Sequence, residues 1–124
     1  MPSARHLLAV TVAITAVSAV TALPASASFR TAAGPAVCLD ATNSRTDNTV
    51  VRLWECLDHP NQRFVIDNGQ IKVKDTIGTG REVCLDATNS RTDNTLVRLW
   101  QCLDHPNQKF VIDNGHIKVK DTLA

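Results

Sequence analysis

Surplus charge is what this sequence lacks most plainly. Across 124 residues, 13 Lys and Arg stand against 12 Asp and Glu, a formal net charge of +1. So balanced a surface gives no support for binding nucleic acid or an anionic membrane, both of which call for a basic field. The four cysteines include no C-x-x-C pair, and their spacing fits no common zinc finger. No metal and no cofactor is therefore expected. Nothing resembles a nucleophile beside a base, and the carboxylates recur in identical settings, which is poor ground for separate acid and base roles. There is no N-x-S/T sequon, so glycosylation is not expected.

The first residues read as an address rather than as part of a domain. Arg5 and His6 precede an apolar run from Leu7 to Leu23, followed by Pro24 and the triplet Ala25-Ser26-Ala27. This is the order of a secretory signal with an A-x-A cleavage site, and it places the cut after Ala27. The alternative is a retained membrane helix, but the run is barely long enough to span and carries Thr and Ser throughout. Cleavage leaves 97 residues with 12 basic and 12 acidic side chains. The expected product is extracellular and not inserted in a membrane. A short linker, residues 28–36, comes before the folded part, residues 37–124.

That folded part is written twice. Val37–Thr76 and Val83–Thr122 align at a constant offset of 46 residues, and only four of the 40 pairs differ. They are Val50/Leu96, Glu55/Gln101, Arg63/Lys109 and Gln70/His116. Each copy should form the same supersecondary unit. The repeat also selects among the three pairings that four cysteines allow: Cys38–Cys56 and Cys84–Cys102, each within its copy. Exported chains keep such bridges, and so small a chain needs them.

The sequence predicts four short strands per copy. "VCLDA" is the first and "VVRLWEC" (or "LVRLWQC") the second. In the second strand Val51, Leu53 and Glu55 point one way, Arg52, Trp54 and Cys56 the other. "RFVID" and "QIKVK" flank Asn68-Gly69, repeated at Asn114-Gly115, the turn dipeptide whose residues both accept positive φ. Lys72, Lys74, Lys118 and Lys120 read as a solvated face. "TNSRTDNT" and "LDHPN" are polar loops. His59 and His105 lie in the latter, where "DHP" indicates turn geometry rather than a metal site. No stretch of the processed chain has helical periodicity, so the class is all-β.

The spaced elements "VCLDA" (37–41), "VRLWEC" (51–56), "NQRF" (61–64) and "NGQI" (68–71) resemble the ricin-type lectin repeat of β-trefoils. They recur as "VCLDA" (83–87), "VRLWQC" (97–102), "NQKF" (107–110) and "NGHI" (114–117). Two departures stand out. The family's Q-x-W ends here in Phe64 and Phe110, a core position that tolerates the exchange with modest repacking. A trefoil has three units, and this chain carries two. An incomplete trefoil leaves strand edges and apolar surface open, and a homo-oligomer that completes it is the expected remedy.

The resemblance implies a carbohydrate-binding, non-catalytic lectin module with one site per repeat and glycans or polysaccharides as partners. In the first copy Asp40 would accept from adjacent hydroxyls, Trp54 would stack on a sugar face, Asn61 would bond a hydroxyl and Gln62 would support it. Arg52 shares the face of Trp54 and would tune specificity, unless it pairs with Asp40 instead. The second copy offers Asp86, Arg98, Trp100, Asn107 and Gln108. Two other readings stay open here. One is a protein-binding, protease-inhibitor-like trefoil; the other is a remnant of a larger lectin or glycosidase.

Overall fold

The computed structural model describes residues 34–124; the expected signal, residues 1–27, and most of the linker lie outside them. Eight four-residue strands follow in order: β1 (Val37–Asp40), β2 (Arg52–Glu55), β3 (Phe64–Asp67), β4 (Gln70–Val73), β5 (Val83–Asp86), β6 (Arg98–Gln101), β7 (Phe110–Asp113) and β8 (His116–Val119). Short 3-10 turns at Pro60–Gln62, Lys74–Thr76, Pro106–Gln108 and Lys120–Thr122 complete the elements. The described residues contain no α-helix, and no helix among them is long and apolar enough to cross a membrane. Four strands per copy is what the repeat predicts.

The hairpins form for the local reasons read from the sequence. Asp67 faces Gln70 and Asp113 faces His116 across two-residue turns. Asn68 and Gly69 adopt φ of 50° and 84°, and Asn114 and Gly115 of 50° and 81°. That mirror-image turn follows the right-handed twist of the strands it joins. β1 pairs with β2 so that Cys38 faces Trp54, and β5 with β6 so that Cys84 faces Trp100. The disulfides Cys38–Cys56 and Cys84–Cys102 close these pairs, within each copy as expected. A bridge of this loop length contributes roughly 3 kcal/mol in the chain-entropy account.

The copies then part company. β3, β4, β5 and β6 form one four-stranded sheet, in which β4 of the first copy pairs antiparallel with β5 of the second. β1–β2 and β7–β8 remain two-stranded. The buried core is Ile71 and Val73 of β4, Val83 and Leu85 of β5, Leu99 of β6, Phe110, and the small residues Ala41 and Ala87. Identical side chains therefore have unequal fates. Val83 is 1% exposed but Val37 59%; Leu99 is 0% exposed but Leu53 69%. The expected inward face of the second strand holds at Leu99, while Val97 and Gln101 on the same face are exposed. It fails at Leu53 because, among the described residues, no element packs over β2.

Polar contacts lock the junction. Phe110 N–H donates to the Gly69 carbonyl at 2.8 Å, and Gln70 Nε2 to the Leu103 carbonyl at 2.9 Å. Lys72, expected on a solvated face, is instead tucked against Glu82 and Asp67 at 2.8 and 3.0 Å. The bond from Lys72 holds the Glu82 carboxyl below its ordinary range, and the same bond raises the ammonium. Beneath it the buried Thr76 hydroxyl donates to the Val73 carbonyl at 2.7 Å and accepts from Val83 N–H at 2.9 Å. One hydroxyl thus ties the last strand of one copy to the first of the next.

Thr76→Val keeps the shape of that side chain but orphans a buried N–H. It should cost about 1–3 kcal/mol in urea unfolding, whereas Thr76→Ser, which keeps the hydroxyl, should cost distinctly less. Equal losses in the two variants would show that shape, not the bond, matters there.

Candidate functional site

Each copy encloses a shallow hollow beside its second strand. In the first, about 210 Å³ lies between Asp40 at the end of β1, Arg52 and Trp54 of β2, and Asn61 of the 3-10 turn. In the second, about 340 Å³ lies between Asp86, Trp100 and Asn107. The Asp, Trp and Asn of each expected set thus converge. A larger hollow, about 450 Å³, sits at the copy junction among Gln70, Glu82, Leu103 and Lys109, but it has no aromatic wall.

The carboxylates are held from behind. One Asp40 oxygen accepts from Thr42 N–H at 2.6 Å and the other from Gln62 Nε2 at 3.0 Å. Asp86 is held alike by Thr88 N–H at 2.7 Å and Gln108 Nε2 at 3.0 Å. Each carboxylate oxygen carries two lone pairs, so acceptor capacity remains for a ligand. Gln62 and Gln108 do not line the hollows. Gln108 is fully buried, its Oε1 accepts from Leu103 N–H and its Nε2 also donates to the Gln101 carbonyl. Gln62 makes the matching bonds to Leu57 and Glu55. Both hydrogens of each amide are thus taken, one of them by the carboxylate.

The arginines of the second strand differ from each other. Arg52 faces Asp40 across the strand pair and lines the first hollow, yet the side-chain bonds of Asp40 go to Thr42 and Gln62 rather than to it. Arg98 does not line the second hollow. Its Nη1 donates to the Asn48 carbonyl at 3.2 Å, because the loop before β2 packs against β6.

A different arginine organises each hollow. Nε and Nη2 of Arg45 grip both oxygens of Asp75 at 3.0 Å, while Nη1 donates to the Thr42 carbonyl at 2.7 Å. Its Nη2 also donates to Asn61 Oδ1 at 2.8 Å, and Asn61 Nδ2 donates to Asn43 Oδ1 at 2.8 Å. This fixes which way the Asn61 amide points. The planar fork of arginine suits such two-point gripping. Arg91 repeats the pattern with Asp121, Thr88 and Asn107, and Asn107 with Asn89. The bond from Arg91 holds the Asp121 carboxyl below its ordinary range, and Asp121 in turn raises the guanidinium.

Sequence reasoning missed Thr42, Asn43, Leu57 and His59 in the first lining, and Thr88, Asn89, Leu103 and His105 in the second. His59 and His105 cap the 3-10 turns as their "DHP" geometry predicts, with Nδ1 accepting from the asparagine N–H at 3.1 Å. Thr42 and Thr88 sit at φ of 64° and 60°, costly for a β-branched residue. The Arg45 and Arg91 bonds to their carbonyls, and the Asp bonds to their N–H groups, hold that conformation. Trp54 and Trp100 are 55% and 38% exposed, open enough for a ring face to meet a ligand.

The family model of the ricin-type beta-trefoil lectin domain matches residues 25–122, most of the chain. The match takes in both copies and the linker before them. A search of curated proteins finds no match.

The Arg91–Asp121 grip makes a pH prediction. Its contribution is complete above the ordinary aspartate value of about 4 and fades as pH falls through the lowered value of Asp121. An NMR titration should put the Asp121 inflection below about 4, and Arg91→Gln should return it to about 4. An inflection that Arg91→Gln leaves in place would remove this arginine as the cause.

Proposed function

The chain belongs to the ricin-type β-trefoil lectin domain family, and we propose that it is a secreted module that binds carbohydrate at one site per repeat and does no chemistry. The observation that carries this is the pairing, made twice, of an exposed tryptophan with a buried carboxylate that keeps free acceptor capacity. A pyranose is both things at once: a C–H face that packs on an aromatic plate and a rim of hydroxyls that need strong acceptors and oriented donors. Trp54 and Trp100 are the plates. Asp40 and Asp86 accept from neighbouring hydroxyls, and a charged acceptor makes the stronger bond. Asn61 and Asn107 present an Nδ2 hydrogen in a direction fixed from behind, so little ordering remains to be lost on binding. Gln62 and Gln108 act through the carboxylates, as positioning residues.

The two hollows are not equivalent. Arg52 borders the first and is suited to an acidic sugar or to a further hydroxyl. The second has Asn48 in place of an arginine. Export follows from the N-terminal pattern and from the two disulfides, which persist in an oxidising compartment.

On a panel of immobilised polysaccharides, one chain with two weak sites gains retention by avidity. Trp54→Ala and Trp100→Ala should each lose that gain, and the double variant should lose roughly tenfold or more in affinity. Both side chains are exposed enough for the fold to survive, which circular dichroism checks. Full retention by a folded double variant would refute the sugar reading.

A further inference from the structure

The second hollow is built by both copies, the first by one. Asn48 lines the second hollow, though it belongs to the first copy. It arrives because the loop before β2 lies along the outer edge of β6 as an added strand. Asn48 N–H donates to the Leu99 carbonyl at 2.8 Å, and Leu99 N–H donates to the Thr49 carbonyl at 2.7 Å. Val50 bridges Arg98, and Asp47 Oδ1 accepts from Gln101 N–H at 2.7 Å. Asn48 takes φ of 73° to make the turn.

Both halves of this contact exist a second time, without each other. The docking loop recurs as "SRTDNT" at residues 90–95, with Asn94 at φ of 71°. Its Leu96 and Val97 are exposed. The receiving edge recurs as β2, where "RLWE" stands for "RLWQ" and Leu53 lies bare at 69% exposure. The docking atoms on this edge are the backbone of Leu99 and Gln101 and the guanidinium of Arg98, whose counterpart is Arg52, so the Glu55/Gln101 exchange does not alter them. Apart from Arg81, whose guanidinium also holds the first loop and whose counterpart position is Pro35, the edge and the loop left open among the described residues repeat the two sides of a contact the chain already makes.

The geometry points to a second copy of this chain as the occupant of the β2 edge. Its "SRTDNT" loop lies along Arg52–Glu55 and brings an asparagine to wall the first hollow, as Asn48 walls the second. Among the described residues each chain offers one such loop and one such edge, so the contact runs head to tail from chain to chain and closes into a ring where its rotation allows. That the completed hollow holds sugar rests on the function proposed above; the assembly itself does not.

The test is sedimentation of the purified chain, without sugar, over a wide concentration range. Association that grows with concentration is expected. Leu53→Asp should abolish it while leaving the far-ultraviolet circular dichroism unchanged, and Leu53→Ser, which adds no charge, should weaken it. In a Trp100→Phe background only Trp54 fluoresces, and its quenching by iodide should fall as chains associate. A chain that stays monomeric at every concentration, with the first copy covered by its own N-terminal residues or by nothing, would overturn the inference. So would association that Leu53→Asp leaves intact, or a Trp54 that stays as open to iodide in the assembly. Loss of sugar retention with association preserved would count against the sugar reading alone.

Discussion

The pairing of β4 with β5 is the contact on which the rest of this structure depends. Among the described residues it is the one pairing between named strands of the two copies, and the buried core is built around it. Ile71 and Val73 reach it from one side, Val83, Leu85 and Leu99 from the other. Removing each such side chain from water is worth about 1.5–3 kcal/mol, so the hydrophobic stabilisation of the chain is concentrated there. The same residues elsewhere contribute little, since Val37, Leu53 and Ile117 remain exposed. A repeat of this kind cannot bury its own apolar face; a neighbour has to do it.

The hollows obey a different economy. Their frames are local and polar: Asp–Gln, Arg–Asp and Asn–Asn contacts within a single copy, with a disulfide across the adjoining strand pair. The matching bonds in the second copy agree to within about a tenth of an ångström. That agreement holds although β5 is buried throughout and β1 is mostly exposed. Site geometry is thus insulated from the state of the core. The strained Thr42 and Thr88 conformations fit this account, because bonds on both sides of each residue hold them without help from apolar packing.

What the sequence disclosed was what local chemistry decides. Asn-Gly turns, strand alternation and cysteines repeated at one offset predict the hairpins and the bridges, and the structure has them. The convergence of Asp40, Trp54 and Asn61 followed from the family resemblance. Three things were not legible. Leu53 and Leu99 have the same neighbours in sequence, so nothing local distinguishes a bare leucine from a core one. Arg98 is diverted by Asn48, fifty residues away in sequence, a distance no periodicity spans. Arg45 organises Asn61 and Asp75 from a loop whose composition says only that it turns. A signal for it did exist. Both copies keep the arginine, the asparagine and the aspartate at the same spacings, as they must if one fork grips two partners.

The unequal hollows show how far the surroundings of a repeat shape it. Both contain the same aspartate, tryptophan and asparagine, yet one encloses about 340 Å³ and the other about 210 Å³. No substitution within either set accounts for this. Asn48 closes one wall and engages the guanidinium of Arg98, whereas Arg52 has no such neighbour among the described residues and borders its hollow directly. One packed loop thus changes both the volume and the local charge of a site whose own residues are unaltered. The shape of such a hollow is then a property of the repeat together with its neighbour. A duplication that copies every side chain still yields two different sites, because it cannot give both copies the same surroundings.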